Sequence, residues 1–304
     1  MPQCLPAALA PSGWTLAGAL AAVERLCLES IAPSVLAEGS LTCGAAAAAT
    51  DHLASGGRRI RARLALDTAE RLGMSLNDAV AIAAACDLLH NASLVHDDLQ
   101  DRDPLRRDRA TVWKRFGDDV AICTGDLLLS AAYSALARFS QPALLPAMLL
   151  LMHQRTAEAI RGQCADRQPR IRYLDDIDLY EQIVIGKSGA LLSLPLELAM
   201  IGSGHAHDAA MARRAAKHFA VGYQIVDDLG DREKDAGDSG PPALNAFLVL
   251  VAADADADPA ARGIALARRH LLHAKELARH LPGGAGALLS QLAGELCERL
   301  CEPL

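Results

Sequence analysis

Aromatic side chains are scarce in this 304-residue chain, at 3% of residues, although hydrophobic residues as a class reach 51%. Alanine and leucine dominate instead, which favours helices over strands, since strands want β-branched and aromatic side chains. Long basic blocks are missing and the formal net charge is −7, which argues against nucleic acid as a partner. The eight cysteines (Cys4, Cys27, Cys43, Cys86, Cys123, Cys164, Cys297 and Cys301) form no CxxC pair. They read as reduced thiols rather than disulfides or metal ligands. The N-terminal residues lack the basic n-region of a secretion signal. Apolar runs such as Ala143 to Met152 fall short of the ~20 residues a spanning helix needs. These absences predict a cytoplasmic protein with no transmembrane segment.

What is present is helical periodicity along most of the chain. It predicts helices over Thr15 to Leu36, ended near Pro33, then Arg58 to Leu72, Leu76 to Asp101 and Gly117 to Phe139. Further helices are expected over Ala143 to Cys164, Ile177 to Ile201 with a kink at Pro195, and Ala206 to Asp231, with two or three weaker ones after. Leu76 to Asp101 is apolar enough to be buried on most sides. No βαβ rhythm and no fixed repeat interrupts the pattern. Arg232 to Pro242, rich in charge, glycine and proline, reads as a loop and a candidate lid. The expected architecture is all-α, a single-domain helical bundle.

Two acidic clusters carry the chemistry. Asp97-Asp98-Leu99-Gln100-Asp101 and Asp227-Asp228-Leu229-Gly230-Asp231 both have the form DDxxD, each at the end of an apolar helix. Aspartates at i and i+4 share a helix face, where like charges repel unless a cation compensates. Magnesium suits them, because it takes oxygen ligands, keeps waters and bridges carboxylates to phosphates. Two such sets facing each other across a bundle would hold Mg²⁺ and a diphosphate between them. Basic residues complete the anion-binding reading: Arg106 and Arg107 after the first cluster, the Gly56-Gly57-Arg58-Arg59-Ile60-Arg61 knot opening a helix, and Lys187-Ser188. The GKS string is not a P-loop, because Glu181 stands where its first glycine would be. His90 lies two turns before Asp97 on the same face.

In this order the motifs resemble the trans-type isoprenyl diphosphate synthases. Gly125-Asp126, Gly162-Gln163 and Gly222-Tyr223-Gln224 fall between or beside the others as they do in that family. The resemblance runs over about residues 56 to 235. It implies the isoprenoid synthase fold around a deep central apolar cavity, usually as a homodimer. It implies prenyl transfer, in which isopentenyl diphosphate attacks an allylic diphosphate ionised with the help of Mg²⁺. Asp97 and Asp101 would hold two magnesium ions and Asp227, helped by Asp231, a third; Asp98 and Asp228 are counted with the metal ligands. The implied catalytic set is Asp97, Asp101, Asp227, Arg106 and Lys187. Arg106, Lys187, Ser188 and Gln224 would contact the allylic diphosphate, and Arg58, Arg61, His90 and Arg107 that of isopentenyl diphosphate.

The chain departs from the family in places. Arg58 stands for a usual lysine, Ser188 for threonine, and Asp108 and Ala110 for the glycine and proline of RRGxPT. In this family the residues four and five before the first aspartate form the pocket floor, and aromatics there stop growth at farnesyl. Here they are the small Ser93 and Ala92, with Leu89 and Tyr133 as the next floor, which implies geranylgeranyl diphosphate. Two rivals remain. A class I terpene cyclase would carry asparagine, serine and glutamate at its second metal site, and a non-catalytic partner subunit would tend to have lost aspartates.

Overall fold

The computed structural model describes residues 13–32, 44–168, 174–231, 244–254 and 258–300. The expected lid at Arg232 to Pro242 lies outside the described residues. By internal contacts the chain divides into two compact units, Met1–Pro142 and Ala143–Leu304. Both are helical, and the only strands among the described residues belong to one short hairpin.

The first unit is organised around α4 (Leu76–Asp101), which packs against α1 (Leu16–Ile31), α3 (Ile60–Arg71) and α6 (Asp118–Leu136). Its boundaries follow local chemistry. The Ser75 hydroxyl accepts from the Asp78 amide at 3.2 Å and starts the helix. Arg102, left-handed at φ 58°, stops it and donates its amide back to the Asp98 carbonyl. Between them Ala79, Ala81, Ala83, Ala84, Ala85 and Leu88 are fully buried, as the apolar pattern predicted. Burial also pushes up the pKa of the neighbouring Cys27 and Cys86 thiols, in keeping with inert core cysteines.

Three pieces of this unit escaped the periodicity. Helix α2 (Gly44–Leu53) is so alanine-rich that no apolar stripe stands out. A hairpin pairs β1 (Leu105–Arg106) with β2 (Arg109–Ala110), and α5 (Val112–Phe116) follows. The two turn residues, Arg107 and Asp108, have φ of 53° and 60°. That is the left-handed pair of a two-residue hairpin turn, where aspartate is among the tolerated side chains.

In the second unit α7 (Leu145–Asp166) runs beside a composite rod. Its parts are α8 (Ile177–Val184), a π turn over Ile185–Gly189, and α9 (Ala190–Gly202). The sequence predicted one helix there; the structure interrupts it at Gly186-Lys187-Ser188, while Pro195 lies inside α9. Helix α10 (Ala209–Gly230) packs on this rod and on α12 (Pro259–Arg279), with α11 (Ala246–Ala253) and α13 (Ala287–Arg299) alongside. A buried ion network joins α7, α9 and α10. Arg155 forks onto Glu197 at 2.7 and 2.6 Å, and Glu158 accepts from Arg213 at 2.8 Å and Lys217 at 3.0 Å.

One expectation needs correction. Three helical stretches, Leu76–Asp101, Asp118–Leu136 and Ile177–Gly202, are long and apolar enough to cross a membrane by length and composition. Their isolated polar residues break the uninterrupted runs without lowering mean hydropathy enough. In the first and third the apolar window is 78% and 83% buried inside the fold, so core packing already uses most of those side chains.

Candidate active site

In the first unit the end of α4, the hairpin and the start of α3 converge. Within the first DDxxD the three aspartates do not behave alike. Asp97 is half-buried and Asp101 exposed, whereas Asp98 is buried and grips Arg106. The Arg106 Nε donates to both Asp98 oxygens at 2.7 and 3.0 Å. Burial raises the Asp98 carboxyl pKa, against the downward pull of that guanidinium. Asp98 therefore anchors the hairpin arginine in this structure, where the motif counts it with the metal ligands. The reason is angular: residue i+1 lies about 100° around the helix from i, while i+4 returns to the same face.

The basic residues gather around His90. This histidine leaves Nδ1 buried without a hydrogen-bond partner, and its pKa is held well below the ordinary value. Burial is the main cause, followed by the positive charges of Arg61, Arg107 and Arg106. His52 is driven down to about 4 by burial, then by Arg106 and Arg107, and its Nε2 lies 3.1 Å from the Asn91 Oδ1. So much cationic character around the half-buried, neutral imidazole of His90 suits an anion of several charges. Arg107 reaches back to donate to the Gly56 carbonyl and to the Ser55 hydroxyl. Gly57, at φ 124°, takes a backbone conformation that strains other residues, and an added Cβ, 2.5 Å from the Arg107 Cζ, would also push the guanidinium aside. Arg58 is exposed; its neighbour Arg59 instead bonds Asp87 at 2.7 Å and pairs with Glu24 at 3.2 Å.

Of the predicted pocket-floor residues, Leu89 and Ala92 are buried on α4. Ser93 is half-buried and donates its hydroxyl to the His90 carbonyl at 2.8 Å. Tyr133 is half-buried on α6, which packs along α4.

The second DDxxD repeats the split in its own unit. Asp227 and Asp231 are exposed at the end of α10, and Asp228 is buried. Asp228 accepts from the Tyr180 hydroxyl at 2.6 Å, from Gln224 at 2.8 Å and from the Ala246 amide at 2.8 Å. Asp228, which the motif counts with the metal ligands, is thus engaged within the fold in the same way as Asp98, and Gln224 holds it here. Lys187 in the π turn donates to Asp166 at 2.6 Å, with Ser188 half-buried beside it. The turn exists because α7 comes very close. A Cβ on Gly162 would lie 2.3 Å from the Lys187 amide nitrogen, which explains glycine in Gly162-Gln163. Asp166, Tyr180 and Asn245 were not singled out by sequence. The four-residue spacing of Gly162 and Asp166 was the available signal, since it puts both on the helix face that meets Lys187.

Among the described residues no group of three or more His, Cys, Asp or Glu side chains is placed to hold a metal by itself. That fits magnesium better than a closed protein cage. Each cluster offers an outward pair of hard carboxylate oxygens, and the remaining ligands come from water and phosphate.

A family model described as polyprenyl synthetase matches residues 45–246, a stretch containing every motif described above. The chain belongs to the polyprenyl synthetase family. The (2E,6E)-farnesyl diphosphate synthase of Mycobacterium tuberculosis is 37% identical over 174 residues, covering 57% of this chain and 48% of that protein. The chain therefore matches about half the length of this curated relative. Among solved structures, the geranylgeranyl pyrophosphate synthetase of Pyrococcus horikoshii Ot3 superposes with a TM-score of 0.78 at 25% identity, covering 92% of this chain and 96% of that one. The decaprenyl diphosphate synthase of Rhodobacter capsulatus gives 0.76 at 21% identity over 94% and 98%, a likeness of fold. The polyprenyl synthetase fold is all-α in these relatives and here. Their names span three product lengths.

Proposed function

We propose that the chain is a trans-prenyltransferase that condenses isopentenyl diphosphate head to tail with an allylic diphosphate, giving geranylgeranyl diphosphate. The observation that carries this reading is the half-buried neutral His90, with its Nδ1 buried, amid Arg61, Arg106 and Arg107, beside the outward carboxylates of Asp97 and Asp101. A diphosphate satisfies the first and Mg²⁺ the second. Asp227 and Asp231 are the metal ligands of the second cluster, and three ions with bound diphosphate is the expected count. When bound, Mg²⁺ supplies Lewis-acid stabilisation of charge on the departing diphosphate.

This chain's own residues do the rest. Arg61, His90 and Arg107 hold the isopentenyl diphosphate, with Arg58 at the exposed edge. In the second unit Lys187 leaves Asp166 to meet the allylic diphosphate, helped by Ser188, and Gln224 reaches it by releasing Asp228. Preorganised positive charge of this kind lowers the barrier to C–O ionisation. The small Ala92 and Ser93 permit growth past fifteen carbons, and Leu89 and Tyr133 limit it. The reading includes a homodimer in the cytoplasm.

The test is incubation of the chain with isopentenyl diphosphate, each allylic primer in turn and Mg²⁺, with products measured by mass spectrometry. Twenty-carbon product is expected. Consumption of geranylgeranyl diphosphate alone would identify a cyclase, and no turnover of any primer would leave a binding subunit. Ala92→Phe is expected to shorten the main product by at least one five-carbon unit; an unchanged product would put the floor elsewhere.

A further inference from the structure

Beyond the metal ligands, the second cluster is built on an anchor reaching from three helices to one carboxylate. Asp228 is 4% exposed and Tyr180 fully buried, and the phenol donates at 2.6 Å to Oδ2. The same oxygen takes the Ala246 amide, while the Asn245 side chain donates to the Asp228 carbonyl at 2.9 Å. Asn245 also caps α11, accepting from the Phe247 amide at 2.8 Å. So α8, the end of α10 and the start of α11 are tied together at the residue next to Asp227 and one turn from Asp231.

A buried phenol needs a partner, and burial with the Asp228 charge lifts the Tyr180 pKa well above its ordinary value, so it remains a donor. The last turn of α10 would otherwise be free to fray, because helix ends are held by few backbone bonds. Rotation of that turn by one residue would send Asp227 about 100° off its present face.

We infer that Tyr180 and Asn245 are positioning residues for metal binding. They clamp Asp228 inward so that Asp227 and Asp231 are held outward as a carboxylate pair. Neither residue touches the metal. The inference rests on reading this cluster as a divalent-cation site that works with diphosphate.

The test uses the full chain carrying Asp97→Asn and Asp101→Asn, so that bound cation reports the second cluster. Mn²⁺ binding is followed by electron paramagnetic resonance with inorganic pyrophosphate present, and thermal unfolding is recorded in parallel. Tyr180→Phe keeps the ring and loses the donor. Asn245→Ser keeps a helix cap and is too short to reach Asp228. Each is expected to weaken Mn²⁺ binding about fivefold, the scale of one lost hydrogen bond of ordinary strength. Ser193→Ala, which removes a buried hydroxyl elsewhere on α9, is expected to leave binding unchanged whatever it does to stability. Wild-type affinity in both variants, with or without a fall in melting temperature, would overturn the positioning role. If Tyr180→Phe does not fold, Asn245→Ser decides. If the parent takes up no Mn²⁺ with pyrophosphate, the metal-site reading fails first and the positioning role with it.

Discussion

Asp108 stands where the related family has glycine and adds a negative charge beside Arg106 and Arg107, and its backbone gives the reason it is tolerated. At φ 60° the position excludes most side chains but accepts glycine, asparagine and aspartate. Asp108→Gly is expected to fold with stability within about 0.5 kcal/mol of the parent and to lower the KM for isopentenyl diphosphate severalfold, read by steady-state kinetics. His52 supplies a pH prediction. Its folded pKa of about 4 lies below the ordinary 6.5, so the unfolded chain takes up the proton first. Its contribution to stability is complete above pH 6.5 and is lost as pH falls towards 4. The loss is expected to reach about 2–3 kcal/mol, read by urea unfolding at stepped pH. His90 is shifted the same way and adds to the same trend. At this scale the sequence was half-legible. The residue types of both clusters were plain, and the inward turn of Asp98 and Asp228 was available from helical geometry. What could not be read was their partners, since Arg106 lies eight residues from Asp98 and Tyr180 forty-eight from Asp228.

Among elements, α4 was readable from end to end because its cap, its apolar body and its acidic end all point the same way. The π turn was not. Sequence shows two glycines around Lys187, but the extra residue in the turn depends on how closely α7 approaches, which is a tertiary fact. Gly162→Ala tests this directly. The added methyl meets the backbone of Gly186 and Lys187, which cannot rotate away as a flexible side chain would. A cost of about 1–3 kcal/mol is expected from denaturant melts. A drop in kcat should accompany it, because the turn carries Lys187. Helix α2 was missed for the opposite reason: alanine favours helix strongly but gives no period by which to see it.

For the whole molecule, net charge and substrate charge oppose each other. On the proposed function a chain of formal charge −7 would bind two diphosphates, so local cations would have to overcome the wider field. In that reading Arg58, Arg61 and Arg107 serve one diphosphate, and divalent metal is assigned to the other. Chelation with EDTA is therefore expected to abolish product formation, and excess Mg²⁺ to restore it in full. Activity that survives chelation would break the reading. Fold class was legible at this scale because alanine and leucine richness left no alternative to helices. The division into two compact units was not, because the break at Pro142 carries no long linker.

The inward and outward aspartates also bear on how natural variation in such proteins should be interpreted. A change at Asp97 or Asp227 strikes the chemistry and spares the scaffold, leaving a sound protein that is inert. A change at Asp98 or Asp228 strips the partner from a half-buried arginine or a buried tyrosine and lowers the amount of protein that survives in the cell. Alleles that look equivalent in a motif alignment would then differ in kind, one leaving folded protein without activity and the other reducing its dosage.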